Sequence, residues 1–520
     1  AAGSVASTPS TPTRSTGGGV VRVTLTLYST SMRLLSVQVR DFRCVDDSDE
    51  FKIADVTCLV GKNESGKTAL LKSLHKLKPD ADTKEAFVPD RDYPKRKWRP
   101  DTKIPEDPPA IATKWELKPE EIEEIELKFG KGVITGKTFS LKKGYDNVRR
   151  FSIDMDESVI VKGLVGGAGL STDERKLVNK CKTVNTLKSV LSDQPPRSSS
   201  QEALLQKLAK EFPKGGSMAV IEAVEAMVPT FLYFDDYLTL PGEVSISAIV
   251  KRKDENSLTD KDEVFLALLS LAGTTVEAVR DAGTFENFNA ALRAVSNKVT
   301  DMIFRYWSQN KHLDVQIRAD HARPNDPAPL NAGWICRTRI ENKRHRADTS
   351  FDERSRGFVW FFSFLIWFYQ LKKVYGDNLI ILLDEPGLSL HARAQHDLLR
   401  YIEEQLRPHY QVVYTTHSPF MINPDDLLSA RTVEDVVEID PKTKQEALKG
   451  TKVGEEVLSV DPDTISPLQR ALDYEITQTL FIGWHTLLVE GESDILYIRW
   501  FSRQCPDPIL VPIRKYSFAA

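Results

Sequence analysis

The stretch Gly61-Lys62-Asn63-Glu64-Ser65-Gly66-Lys67-Thr68 decides how this chain is read. It satisfies GxxxxGK[ST]. The apolar run DVTCLVG (55–61) leads into it and the helix-forming run TALLKSL (68–74) leads out. Small residues here let successive backbone N–H groups wrap a polyphosphate. Lys67 can then reach the β and γ oxygens, and the Thr68 hydroxyl can ligate Mg²⁺. The run from Gly61 to Ala69 is therefore a candidate ATP cradle, with ATP and Mg²⁺ as the expected cofactors.

Outward from that loop, the apolar residues 380–383 lead into Asp384-Glu385-Pro386. A buried strand ending in a carboxylate is where Mg²⁺ is met in a P-loop fold. Asp384 is the candidate metal residue, beside Thr68. Glu385 is the candidate base that orients and deprotonates the attacking water. A second run, QVVYTT (411–416), delivers His417 about 32 residues past Glu385. A histidine there can hydrogen-bond a γ-phosphate, so Lys67, Glu385 and His417 form the candidate catalytic set.

About 317 residues separate Lys67 from Asp384, too many for a compact Ras-like or RecA-like core. Before the acidic strand stands Asp352-Glu353-Arg354-Ser355-Arg356-Gly357, opening an apolar run at 358–369. A Ser and a Gly at a helix N-terminus point N–H groups and a dipole at an anion. ATP-binding-cassette (ABC) ATPases use such a signature to grip the γ-phosphate held by another subunit. Ser355, Arg356 and Gly357 are thus candidate contacts to a partner's nucleotide. The motif order argues for an α/β fold of the ABC-type P-loop ATPase class, with a mixed sheet, and for ATP-dependent dimerisation.

With 520 residues the chain is long enough for two to four domains, and 41% hydrophobic residues suffice for buried cores. Seventy basic against 74 acidic residues, net −4, exclude a uniformly basic nucleic-acid binder but not a local basic groove. Five scattered cysteines form no CxxC pair and no secreted disulfide framework, which suits a reduced, cytoplasmic chain. The apolar run at 358–369 is shorter than the roughly 20 residues that span a bilayer, so it reads as a buried helix and no membrane partner is expected.

The polar, Ser/Thr/Gly/Pro-rich residues 1–31 are expected to form a disordered extension. Residues 32–165 read as the first part of the ATPase, with strands at 121–129, 137–142 and 150–162. Residues 166–228 read as a helical insert and 229–440 as the second part of the ATPase. A linker (441–482) and a last βα unit (483–520) follow.

Taken together, GKNESGKT, FLYFDDY-x3-PG, ERSRGF-x-WF, ILLDEPGLSLH, YTTHSPF and LLVEGESD resemble the OLD (overcoming lysogenization defect) family of ATP-dependent endonucleases, with relatives in Gabija-type phage defence. The resemblance runs from about residue 33 to 500. It implies a cassette ATPase with a helical dimerisation insert, followed by a Toprim nuclease domain. It also implies that Asp384, Glu385, Ser355, Gly357 and His417 play the roles argued above. Toprim chemistry begins with a glutamate ending an apolar strand, which matches Glu490, with Asp494 in the next helix as a second candidate metal residue. The family adds further aspartates, typically a DxD. After Asp494 only Asp507 follows, so the Toprim part is expected to be partial, as a fragment or as a natively truncated relative.

The partners expected are a second copy of the chain in a dimer or higher oligomer, DNA, and a separate nuclease or helicase subunit. Arg337, Arg339, Lys343, Arg344 and Arg346, with Lys95, Arg96, Lys97 and Arg99, are the basic clusters that could meet DNA. A non-nucleolytic clamp that uses the Toprim remnant as a scaffold is the rival reading, separable by a metal-dependent nicking assay. A transporter's nucleotide-binding subunit is disfavoured by the Toprim-like tail.

Overall fold

Val56–Val60, Leu379–Leu383 and Gln411–Thr416 are short apolar runs buried along nearly their whole length, as strands covered on both faces must be. The computed structural model describes residues 32–79, 85–99, 109–193, 196–234, 239–271, 273–280, 285–323, 325–376, 378–423, 426–439, 446–454, 486–488, 497–498, 500–501 and 517–519.

The described residues open with β1 (Arg33–Phe42), β2 (Val45–Asp47), β3 (Phe51–Lys52) and β4 (Val56–Val60), then turn through the glycine loop into α1 (Lys67–Leu77). After the short α2 (Pro89–Asp92) come β5 (Ile111–Glu116), α3 (Pro119–Phe129), β6 (Ile134–Lys143) and β7 (Arg149–Met155). A helical run follows: α4 (Ser158–Gly167), α5 (Thr172–Val178), α6 (Val184–Ser192), α7 (Ser199–Glu211) and α8 (Gly216–Met227). Next are β8 (Thr230–Phe234), β9 (Glu243–Ser245), α9 (Ile246–Asp254), α10 (Asp260–Leu271), α11 (Val276–Arg280) and α12 (Phe285–Tyr306). The hairpins of β10 (Leu313–His321), β11 (Trp334–Asn342) and β12 (Ala347–Ser350) lead to α13 (Arg356–Tyr375). The last part runs through β13 (Leu379–Leu383), α14 (Ala392–Tyr401), β14 (Gln411–Thr416), β15 (Ala430–Ile439) and β16 (Glu446–Gly454). Then come β17 (Thr486–Leu488) and β18 (Ser517–Ala519), which pair in parallel.

The central sheet has the order β16-β15-β4-β14-β13-β8, parallel except for β16 on β15. Alternate residues of its strands feed two cores. Cys58, Val60, Ile381, Leu383, Val412 and Tyr414 face one; Leu59, Ile380, Leu382 and Val413 face the other. The first core holds the aromatic stretch of α13, apolar on every side and therefore enclosed, together with α10 and α12. The second holds α1, the antiparallel sheet β2-β1-β5-β6-β7 and the helices α3 to α8. Thus α1 lies between two sheets. The chain is an α/β P-loop fold with a mixed central sheet. No helix among the described residues is long and apolar enough to cross a membrane.

Three segments differ from expectation. Residues 121–129 are helix, not strand: Glu121, Ile125 and Phe129 are buried at four-residue spacing behind Pro119 at the first helical position. The expected strand at 150–162 ends at Met155, and the chain enters α4 at Ser158. Residues 446–454, expected to lie within the linker 441–482, form β16 on the central sheet. Its run EALKGTKVG is mostly polar; Thr451 and Val453 are buried, and pairing with β15 holds it on the sheet.

Candidate nucleotide-binding site

The loop between β4 and α1 takes the backbone turns its residues allow, with Gly66 at φ 102° and Glu64 at φ 67°. Its back is packed tightly. A Cβ at Gly61 would collide with the Val433 carbonyl of β15, and one at Gly66 with the Thr451 side chain of β16. Thr451 Oγ1 also donates to the Ser65 carbonyl at 2.9 Å. Lys62, Asn63 and Glu64 stand exposed at the mouth, while Ser65, Lys67 and Ala69 are buried. Lys67 Nζ donates to the carbonyls of Gly61 and Lys62, each at 2.8 Å. Burial lowers the Lys67 pKa, against the opposing pull of Glu385 and Asp384.

Asp384 directly follows β13 and is held by three hydroxyls. Thr68 Oγ1 donates to its Oδ1 at 3.0 Å, Thr415 Oγ1 to the same oxygen at 2.8 Å, and Tyr233 OH to Oδ2 at 2.7 Å. Glu385 follows with φ 46°, a strained backbone for a residue with a Cβ, and its N–H donates to Thr415 Oγ1 at 2.7 Å. Its carboxylate lies between two bases: Oε1 is 3.6 Å from Lys67 Nζ, and Oε2 is 3.1 Å from His417 Nδ1. Residues far apart in sequence thus form one row, Lys67–Glu385–His417, beside the Thr68–Asp384 pair. An open cleft of about 220 Å³ begins there, lined by Glu385, Leu388, Gln395, Thr416 and His417 among others. Ser418 Oγ and Gln395 Oε1 lie 2.6 Å apart along it.

Ser355, Arg356 and Gly357 lie elsewhere. Ser355 caps α13, accepting from the Phe358 N–H at 3.4 Å, and both Ser355 and Arg356 are exposed. Gly357 is buried, and a Cβ on it would press on the Ser389 carbonyl just past the acidic pair. Among the described residues, no hydrogen bond or ion pair joins this segment to Lys67 or Thr68. Glu490 and Asp494 lie outside the described residues.

The basic clusters are largely spent within the chain. Arg337 is buried among Glu243, Asp320 and Asp326; Arg339 pairs with Asp348 and Lys343 with Asp314. Arg96 and Lys97 meet Asp46, Lys97 also meets Asp41, and Lys95 donates to the Asp90 carbonyl. Arg344, His345 and Arg346 are exposed at the β11–β12 hairpin tip. Motif reading missed Tyr233, Thr415, Thr451 and Gln395. Tyr233 and Thr415 sit inside motifs already quoted, but no spacing rule marks their hydroxyls. Thr451 carries no sequence signal at all.

Residues 32–222 are similar to the family described as "AAA ATPase domain", and residues 243–423 to "AAA domain, putative AbiEii toxin, Type IV TA system". An uncharacterised protein of Methanocaldococcus jannaschii is 28% identical over 185 residues, which are 35% of this chain and 42% of that protein. The chain thus spans less than half of the curated relative it matches. Among solved structures, a Smc head domain bound to the C-winged helix domain of ScpA aligns with 81% of this chain and 96% of its own at 12% identity and a TM-score of 0.35. A Smc head with an extended coiled coil, bound to the C-terminal domain of ScpA derived from Pyrococcus furiosus, covers 85% of this chain and 99% of its own at 11% identity and 0.34. The SMC head domain from Thermotoga maritima covers 83% and 100% at 12% and 0.31. The family matches bracket the loop and the acidic strand, so the chain contains a P-loop ATPase domain.

Proposed function

We propose that this chain is an ATP-hydrolysing, DNA-processing protein of the OLD type, in which ATP binding closes a dimer. The observation that carries the reading is the 3.0 Å contact of Thr68 with Asp384, which sets a hydroxyl and a carboxylate side by side beneath the glycine loop. Mg²⁺ takes few protein oxygens and leaves its other positions to phosphate and water, so this donor pair fits it. The ion, when bound, neutralises charge on the phosphate oxygens.

The chain's own groups supply the rest. Backbone N–H groups of residues 62–69 wrap the phosphates, and Lys67 exchanges two carbonyls for phosphate oxygens. Glu385 then faces the water, whose proton its carboxylate accepts, while His417 hydrogen-bonds the terminal phosphate. Ser355 and Arg356, exposed at the start of α13 beside the buried Gly357, serve with it the nucleotide of a second copy. The DNA substrate and a metal role for Glu490 and Asp494 rest on the resemblance to the OLD family. Of the basic residues considered, the hairpin tip Arg344–Arg346 is the DNA contact we favour.

The test is Glu385→Gln. It should bind a fluorescent ATP analogue like wild type, hydrolyse ATP about 10²–10⁴-fold more slowly, and run as a dimer with ATP in sedimentation. Turnover near wild type would move water activation elsewhere. A wild-type chain without affinity for the analogue would sink the nucleotide reading.

A further inference from the structure

Asp384 is gripped on both carboxylate oxygens, Oδ1 by Thr68 and Thr415 and Oδ2 by one further hydroxyl. That hydroxyl belongs to Tyr233, on β8 and opposite Leu382 in the strand register, and it donates to Oδ2 at 2.7 Å. Tyr233 is only half-buried, so water could have satisfied its hydroxyl, and burial alone does not impose this partner. Its ring is held by α1. His75 stacks on it with centroids 5.6 Å apart and planes at 28°, and Lys72 Nζ lies 5.6 Å from the ring centre.

Thr68, Lys72 and His75 fall at i, i+4 and i+7, one face of the helix. One face of α1 therefore holds Oδ1 directly through Thr68 and Oδ2 through the ring it clamps. Two anchored oxygens fix the carboxylate plane, which contacts to Oδ1 alone would leave freer to rotate. Mg²⁺ demands near-ideal octahedral geometry, so the orientation of its few protein ligands matters.

We infer that Tyr233, braced by His75 and Lys72, is a positioning residue that holds Asp384 for the metal, so that the Mg²⁺ requirement of nucleotide binding is set on the edge strand β8. The inference rests on the nucleotide-site reading above. Tyr233→Phe keeps the ring and removes only the hydroxyl. The probe is a fluorescent ATP analogue, titrated against the protein in EDTA and then over a Mg²⁺ series.

Tyr233→Phe should match wild type in its affinity for the analogue in EDTA. It should need about tenfold more Mg²⁺ for half-maximal enhancement of binding, since a hydrogen bond to a charged group is lost. His75→Ala, which loosens the ring but keeps the hydroxyl, should shift the Mg²⁺ curve in the same direction by less. A Mg²⁺ curve unchanged in Tyr233→Phe would overturn the inference while leaving the nucleotide site standing. So would an affinity loss equally large in EDTA, which would mark a packing role. Binding by wild type that ignores Mg²⁺ would overturn the metal reading and this inference together.

Discussion

Gly61 meets GxxxxGK[ST] as its first glycine, yet the pressure on it comes from elsewhere. Its missing Cβ makes room for the Val433 carbonyl of β15. Backbone cannot retreat as a flexible side chain can, so a methyl group here must push the loop off the sheet. Gly61→Ala should lower stability by about 1–3 kcal/mol, the usual cost of overpacking. It should also weaken nucleotide binding at least tenfold, because the N–H groups that wrap the phosphates move with the loop. Urea melts and analogue titration check both, and an unaltered melt with intact binding would show that the loop yields freely.

At the scale of elements, two lysines, Lys143 buried and Lys78 half-buried, join α1 to its neighbours. Lys143, on β6, donates to the Lys76 carbonyl in the last turn of α1 at 2.5 Å. Lys78, just past α1, donates to the carbonyls of Glu225 and Val228 at the end of α8. Each places a cation where helix carbonyls lack partners. Burial, and secondarily the nearby Arg149, brings both down to about 8 from 10.5.

The sign follows from linkage. Between about pH 8 and 10.5 the unfolded chain binds more protons than the folded one, so these groups make stability rise with pH across that window. Below pH 8 the cost of burying the cations is present in full. The urea midpoint of Lys143→Met should therefore climb less from pH 7.5 to 9.5 than that of wild type. Parallel pH profiles would show that Lys143 titrates as an ordinary surface lysine.

For the whole molecule, the question is what Ser355 serves. Ser355 and Arg356 open α13 towards solvent, and nothing in the described chain bonds that turn to Lys67 or Thr68. If the turn acts on a second copy, Ser355→Arg should bind ATP as a monomer but neither dimerise nor hydrolyse it. Mixed with Lys67→Ala, it should recover activity, because one composite site of the heterodimer then carries both lesions and the other none. Proven heterodimers without recovery would rule out a site completed in trans.

The glycine loop, the acidic strand end and the histidine after the next strand could be read from the chain itself. Each is a local pattern whose chemistry needs particular residue types at fixed spacing. The parallel rhythm of the last third was readable for a similar reason, since strands covered on both faces become continuous apolar runs. Residues 121–129 misled because a short mixed run of Ile and Glu fits more than one period, and packing against the antiparallel sheet chose the helical one. Only the tertiary structure set β16 behind the loop, placed three hydroxyls on Asp384 and paired Arg337 with Glu243. Those contacts join residues tens to hundreds of positions apart. No local period or spacing records them, because a hydrogen bond depends on distance in space, which strand order and register decide.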